Sequence, residues 1–156
     1  MQSHVIELIT GVTGSFGFSL IFRLNKRLIP PTLFGSFLCW FVYLLCVRNG
    51  EDVFVPSLIS SAVCAAYAQI AARILKAPAT VFLIPEVLPL IPGSGLYYTM
   101  SHAVQKHWFL TRYFGYRTMM FALGIAAGIC IVGVINDMLL RIWRFCSKNE
   151  KVFLCK

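Results

Sequence analysis

The chain has 156 residues, of which 58% are hydrophobic and 13% are charged. Soluble domains usually contain roughly 45–50% apolar and about 25% charged residues, so this composition excludes a soluble protein and predicts one that lipid surrounds. The net charge of +8 does not indicate a nucleic-acid partner, because the Lys and Arg residues lie between apolar runs instead of along one polar face.

Apolar runs long enough to cross a bilayer fill nearly the whole chain. A spanning helix needs about 20 mostly apolar residues. Windows of about 19 residues give about five such helices: Val5–Phe22, Leu28–Val47, Phe54–Leu75, Ala79–Met100 and Thr118–Trp143. The expected fold is an all-α integral membrane protein, with residues 1–156 forming a single transmembrane domain. The first run lacks a basic leading region and a small-residue cleavage site, so it is predicted to be a retained span.

The basic residues predict an orientation in the cell membrane. With five spans, 10 Lys and Arg residues fall in the first and third connections and the C-terminal tail, against 4 on the other side. Basic loops stay in the cytoplasm because they are hard to translocate. The N-terminus is therefore expected outside and the C-terminus in the cytoplasm.

Small residues recur at helical spacing along several of these spans. Gly124 and Gly128 form a G-x-x-x-G pattern, and alanine pairs follow the same spacing at Ala62 and Ala66 and at Ala68 and Ala72. In lipid, helices associate where such residues let their backbones approach closely. These positions are expected to pack against other helices, in this chain or in a partner, and Gly11, Gly14 and Ser15 suit the same role in the first span.

Metal and catalytic signatures are missing from the sequence. The six cysteines form no C-x-x-C pair, so they are interpreted as reduced packing residues, and no cofactor or metal is predicted. His102 and His107 lie in an aromatic and basic stretch, Ser101–Tyr116, that is expected to lie at the membrane surface outside. The sequence contains no H-E-x-x-H motif and no paired carboxylates or Ser/His set at catalytic spacing, which argues against an enzyme.

The fourth span is interrupted at its centre by prolines and glycines: Pro85, Pro89, Pro92, Gly93 and Gly95. Each proline removes a backbone donor and clashes with the preceding turn, which costs roughly 3 kcal/mol inside a helix. The freed carbonyls need protein or water partners, so the break is predicted to line a cavity or a protein interface. The alternative is a kinked helix that serves only packing.

An interrupted helix at bilayer depth often marks the binding site of a transporter. A half-helix N-terminus presents free N–H groups and a positive dipole end to anions. Ser94 is the candidate cap of the second half-helix, which would continue through Tyr97 and Tyr98 toward His107. We expect a small carboxylate to bind there, with Pro92, Gly93, Ser94, Gly95 and Tyr97 as the substrate-binding residues.

Glu86 lies in the same span, where an ionised carboxylate facing lipid would cost roughly 2.5 kcal/mol or more. It must face a cavity, find a cation or carry a proton, so it is a candidate proton-coupling residue. Arg73 is the expected cationic partner, and Arg73 and Gln69 are second candidates for the substrate site. The alternative is a buried glutamate hydrogen-bonded to the broken backbone. The carboxylates Glu7 and Asp137 lie near span ends and are interpreted as structural.

The segments from Lys76-Ala-Pro-Ala-Thr-Val-Phe to Pro89-Leu-Ile-Pro-Gly-Ser-Gly-Leu-Tyr-Tyr resemble the signature of the threonine/serine exporter family. The length of the chain is similar to that of the short members, which form the small half of split exporters. Outside these segments the resemblance is one of hydropathy. The family often has a small residue where Glu86 stands. The resemblance therefore bears more directly on the Pro-Gly break than on a coupling role for Glu86.

The resemblance implies a five-span subunit that works with a larger partner of five more spans and a cytoplasmic domain. The implied substrates are small carboxylates, either threonine and serine or succinate-like dicarboxylates. An odd number of spans in each half also fits an inverted repeat. Two alternatives remain: an accessory or assembly subunit without its own substrate path, and a channel-forming homo-oligomer.

Overall fold

The computed structural model describes residues 2–47 and 52–154, and it describes the side-chain environment of residues 9–47 and 52–142. All regular structure in these ranges is helical. The helices are α1 (Gln2–Ile21), α2 (Ile29–Val47), α3 (Phe54–Leu75), α4 (Ala79–Val87), α5 (Gly93–Val104) and α6 (Trp108–Leu154), with a 3₁₀ turn at Leu88–Leu90 between α4 and α5.

Three of these helices are long and apolar enough to cross a membrane: α2, α3 and the part of α6 from Trp108 to Ile142. The pair α4 and α5 qualifies as a fourth span, bent by 51° at the 3₁₀ turn. The all-helical membrane fold and the broken helix are therefore confirmed. The described apolar part of α1, Ile9–Ile21, is shorter than a full span, so the fifth crossing stays a prediction.

The relative directions of the helices show how the broken pair runs. Gly124 of α6 lies beside Ser57 of α3, and Gly128 lies beside Ser61, so these two helices are parallel. The chain leaves α3 at one end of the bundle and enters α6 at the other. Because α4 and α5 make this connection, together they travel the length of the bundle.

Helix α2 runs antiparallel to α3. Near one end of the pair the Tyr67 hydroxyl donates to the Pro31 carbonyl at 3.0 Å. Further along, the Ser60 hydroxyl donates to the Cys39 carbonyl. Helix α4 packs against both α2 and α3. Helix α1 contacts α4 and the 3₁₀ turn. The 3₁₀ turn therefore lies against α1 and α2, whereas α5 leaves this group and packs along α6.

The G-x-x-x-G pattern of α6 brings its backbone onto α3. A Cβ atom on Gly128 would lie 2.5 Å from the Leu58 carbonyl oxygen and 3.0 Å from the Ala62 nitrogen, so a larger residue does not fit. The expected burial of Gly124 and Gly128 is confirmed, and their partner is a helix of the same chain. Ala68 and Ala72 are buried around Phe82 of α4.

The stretch Ser101–Tyr116, expected at the membrane surface, forms a helical hairpin. Helix α5 continues to Val104, the chain turns at Lys106 with a φ of 60°, and α6 begins at Trp108. The aromatic residues hold the hairpin together, because the Phe114 ring lies 5.5 Å from the rings of both Tyr98 and His102. Helix α6 therefore begins ten residues before the predicted start of the last span at Thr118.

Helix α6 has 47 residues and is about 70 Å long at 1.5 Å per residue. A bilayer core is about 30 Å thick, so α6 extends well beyond it. The surroundings of Glu7 and of the tail side chains after Ile142 lie outside the described residues.

We predict that Gly128→Leu separates α6 from α3 and lowers the stability of the purified protein, measured by thermal unfolding in detergent. Overpacking of a close contact costs about 1–3 kcal/mol or more. Gly133→Leu is the matched control, because nothing lies within 4 Å of a Cβ at Gly133. Equal melting temperatures for the two variants would contradict this packing.

Candidate anion-binding site at the broken helix

The prolines of the break free specific backbone carbonyls, and neighbouring groups satisfy two of them. Pro89 has no N–H to donate to the Pro85 carbonyl four residues earlier. The Ser36 hydroxyl of α2, which also lies 3.1 Å from the Thr32 carbonyl, takes its place at 3.3 Å. Pro92 likewise cannot donate to the Leu88 carbonyl, which accepts from the Ile91 N–H at 3.1 Å. The break is therefore a defined turn held by α2.

Helix α5 begins immediately after this turn, at Gly93. Pro92, and not Ser94, occupies the cap position, and no side chain caps the helix. The expected capping role of Ser94 is therefore wrong, since the turn brings Ser94 into the first helical turn itself. Backbone N–H groups of a first turn have no partner within the helix. The Gly93 N–H donates to the Ile91 carbonyl at 2.7 Å, which leaves the N–H groups of Ser94 and Gly95 in this turn. Together with the helix dipole they make this end of α5 electropositive.

The N-terminus of α5 opens into a cavity of about 520 Å³ between α2, the break and α6. Four of the predicted substrate-binding residues line it together: Pro92, Gly93, Ser94 and Gly95. The other lining residues with polar side chains are Trp40, Tyr43, Tyr98, Arg117 and Thr118. No aspartate or glutamate is among the described residues of its wall.

Arg117 supplies the positive charge of the cavity. A guanidinium group carries a positive charge and offers five N–H donors. The sequence places Arg117 in an external loop, but α6 begins at Trp108, so Arg117 lies more than two turns inside the helix. The run of aromatic residues before it, which packs on α5, is the feature that could have indicated this longer helix.

Gly95 allows α5 to approach α6 beside Arg117. A Cβ atom at Gly95 would overlap the hydroxyl oxygen of Thr118, which is itself buried and donates to the Phe114 carbonyl at 2.7 Å. Gly93 is different, because nothing lies within 4 Å of a Cβ there. Gly95 therefore fixes the distance between the two helices, whereas Gly93 leaves room in the cavity.

A second cavity, of about 390 Å³, lies next to the first toward the start of α3. Arg117 and Val53 belong to the walls of both cavities, and Asp52, Tyr113 and Tyr116 belong to the second. Arg117 thus stands between a cavity whose described wall has no carboxylate and one that contains Asp52.

Three predicted site residues lie away from the cavity. Tyr97 is 68% exposed, and its ring packs edge-on against Tyr98, which lines the cavity in its place. Gln69 and Arg73 lie near the opposite end of α3. The Arg73 guanidinium donates to the side-chain carbonyl of Asn136 on α6, so it joins these parallel helices. This hydrogen bond across helices gives Asn136 a packing role.

Glu86 is fully buried, outside the cavity, where α4 meets α2 and α3. The Cys64 thiol donates to its Oε2 atom at 3.7 Å, and its Oε1 atom has no hydrogen-bond partner among the described residues. Arg73 is nine residues further along α3 than Cys64, about 13 Å along the axis. The expected pairing of Glu86 with Arg73 is therefore not formed.

Gly35 of α2 makes the room for the Glu86 side chain. A Cβ atom at Gly35 would overlap the carboxyl group and would lie 2.8 Å from the Glu86 Cγ atom. Sequence reasoning missed Gly35, although its position beside Thr32, Ser36 and Cys39 marks a face of small residues on α2. A buried carboxyl and the one glycine that accommodates it thus form a matched pair.

The fold and the cavity together define the class of protein. A multi-pass helical membrane protein with a broken helix that opens into an electropositive cavity has the construction of a membrane transport protein. The family described as Threonine/Serine exporter, ThrE, matches residues 7–135. The chain belongs to this threonine/serine exporter family, as the resemblance predicted, and the family is one of transporters. Comparison with curated proteins and with solved structures gives no match.

We predict that Gly35→Ala destabilises the protein because the new methyl group overlaps the Glu86 carboxyl group. Adding Glu86→Ala should restore at least part of the lost stability, and thermal unfolding of the single and double variants measures this coupling. Gly14→Ala is the control, because nothing lies within 4 Å of a Cβ there. If the changes in stability of the two single variants simply add in the double variant, Gly35 does not make room for Glu86.

Proposed function

We propose that this chain is a membrane subunit of a secondary exporter for small carboxylate solutes, either threonine and serine or succinate-like dicarboxylates. The cavity at the broken helix is its substrate site. The observation that carries this proposal is the composition of the cavity wall. The wall combines Arg117 with the open N-terminus of α5, and no carboxylate is among its described residues.

A carboxylate in this cavity would accept hydrogen bonds from the first turn of α5 and from Arg117. Hydrogen bonds to charged groups contribute about 1.5–3 kcal/mol each. The 51° bend at the break directs α5 away from the axis of α4, so its N-terminus faces the cavity instead of continuing a straight helix. The prolines would therefore serve binding by exposing these donors in the middle of the bundle.

Glu86 is our candidate for proton coupling. It has no cation beside it among the described residues, and an isolated ionised carboxylate is very unfavourable in such surroundings. The conformation described here suits the protonated carboxyl group. Exposure of Glu86 to water on movement of α4 away from Gly35 would release the proton, and the break one turn further along α4 links that movement to the cavity.

We infer that the exporter is completed by a larger partner subunit with five spans and a cytoplasmic domain. No side chain of α5 is buried, and α5 packs almost entirely along α6. Its N–H groups and Ser94 cannot face lipid hydrocarbon without partners. A second membrane subunit would cover this flank, and a further copy of this chain is the other possible partner.

We propose that the N-terminus lies outside and the C-terminus in the cytoplasm, across the cell membrane. The first connection carries three basic residues, and Arg73 and Lys76 lie in the last turn of α3 and directly after it. Both lie at the same end of the bundle, since residues of the first connection and of α4 share one small cavity. Positively charged connections favour the cytoplasmic side.

The second candidate function is an accessory or assembly subunit, in which the larger partner holds the whole substrate path. The exposed flank of α5 is the observation that favours it, because the same surface suits a purely structural contact. In that case the cavity residues would affect assembly but not the affinity for the solute.

We predict that Arg117→Gln raises the substrate concentration for half-maximal export by at least about tenfold, since it removes a charged donor. Arg112→Gln is the matched control, because Arg112 and Arg117 are both exposed arginines of α6 and only Arg117 lines the cavity. Export of serine, threonine and succinate is measured at equal protein levels in cells that also express the partner. Equal export by the two variants would favour the accessory role.

We predict that Glu86→Gln abolishes the dependence of export on the pH gradient. Glutamine keeps the size of the side chain but cannot carry and release a proton. The exposed Asp137 on α6 provides the control variant, Asp137→Asn. Export is measured at several external pH values, and a Glu86→Gln profile that follows the wild-type profile would assign Glu86 a packing role.

A further inference from the structure

The second cavity differs in chemical character from the one at the broken helix. Its wall includes Asp52 and three aromatic residues, Phe54, Tyr113 and Tyr116. Carboxylates pair with ammonium groups, and the faces of aromatic rings attract them as well. The first cavity instead combines Arg117 with the N-terminus of α5. Two adjoining cavities thus suit a cation and an anion respectively, and Arg117 belongs to the walls of both.

Asp52 and Arg117 lie at nearly the same level of the bundle. Gly124 of α6 lies beside Ser57 of the parallel helix α3. Asp52 is five residues before Ser57, and Arg117 is seven residues before Gly124. At about 1.5 Å per residue both lie toward the same end of the bundle, about 7.5 Å and about 10.5 Å from that contact. Their levels therefore differ by only about 3 Å, which agrees with their place in the wall of one cavity of about 390 Å³.

The opposite charges of Asp52 and Arg117 do not neutralise each other. Both residues are exposed, and no ion pair joins these two described residues. An ion pair would require a nitrogen–oxygen distance of about 4 Å or less. Each group can therefore pair with an opposite charge on a solute that lies between them. A solute that carries both charges would satisfy both residues at once.

An α-amino acid is such a solute, because its ammonium and carboxylate groups are attached to one carbon atom. Its carboxylate would bind Arg117 where the two cavities meet, and its ammonium group would then point toward Asp52. A dicarboxylate in the same position would direct its second negative charge toward Asp52, where like charges repel. One residue that attracts the first solute and repels the second provides specificity in both ways.

We propose that Asp52 determines the specificity of the substrate site. Its carboxylate binds the ammonium group of a zwitterionic amino acid whose own carboxylate is bound by Arg117, and it repels the second carboxylate of a dicarboxylate. The second cavity is then the ammonium subsite. This inference rests on the proposed function, which leaves both classes of solute open, and it selects the amino acids.

The first test is transport by Asp52→Asn, which keeps the size of the side chain and removes its charge. Inside-out vesicles from cells that express the chain with its partner are supplied with serine, threonine or succinate at known concentrations. The half-saturating concentration should rise about threefold for the amino acids and fall about threefold for succinate, the size of an exposed charge contact. The preference for amino acids then falls about tenfold, a change in opposite directions that a general loss of stability does not produce.

Two variants are the controls for this measurement. Asp52→Glu keeps the charge and should keep the preference for amino acids. Asp137→Asn removes an exposed carboxylate of α6 outside both cavities and should leave every solute unaffected. A wild-type chain that prefers succinate, or an unchanged preference in Asp52→Asn, overturns the role of Asp52 and leaves the proposed function standing. If the wild-type complex transports none of the three solutes, the proposed function fails as well.

The second test uses the unsubstituted chain, so it does not depend on the folding of a variant. Glycerate is serine with a hydroxyl group in place of the ammonium group, and it therefore keeps the carboxylate and the size of the solute. In wild-type vesicles glycerate should compete with serine at least about threefold more weakly than unlabelled serine does. Asp52→Asn should remove this difference. Equal competition by glycerate and serine in wild-type vesicles would overturn the ammonium subsite.

Discussion

The need to satisfy backbone groups without water in the middle of a membrane determines most of this structure. The prolines of the fourth span remove donors at Pro85, Pro89 and Pro92, and lipid cannot replace them. The Ser36 hydroxyl donates to the Pro85 carbonyl, and the Ile91 N–H at the end of the 3₁₀ turn donates to the Leu88 carbonyl. The Ser36 hydrogen bond joins α2 to α4. Directly after the turn, the chain is bent by 51° between Leu90 and Gly93. The same bend directs the unpaired N–H groups of α5 into the cavity.

Close packing at glycines is the second feature on which the structure depends, as three of these contacts show. Gly128 brings α6 onto α3, Gly95 brings α5 onto α6, and Gly35 makes room for the Glu86 side chain. The first two contacts place Arg117 at the wall of the cavity. The third holds a carboxyl group away from any cation of the described residues. The packing of the helices thus places Arg117 at the cavity and the Glu86 carboxyl group outside it.

Composition and local pattern were sufficient to predict the membrane fold, the limits of α3 and the broken helix, because each depends on residues close together in sequence. Pro92 to Gly95, which the sequence predicted to act together, do line one cavity. Arg117 and Gly35 were missed, since their positions depend on which helices become neighbours, and no local pattern contains that information. Arg73 was assigned to Glu86 because their helices are adjacent, but distance along α3 separates the two side chains.

The most direct test of an anion site at the broken helix is the reactivity of a cysteine in the first turn of α5. Ser94→Cys is treated with an anionic and a cationic methanethiosulfonate reagent of similar size, with Tyr97→Cys on the exposed face and the unsubstituted chain as references. The account predicts that Cys at position 94 prefers the anionic reagent more strongly than Cys at position 97, and that serine, threonine or succinate protects it. Equal preference at the two positions, with no protection by any of these solutes, would contradict it.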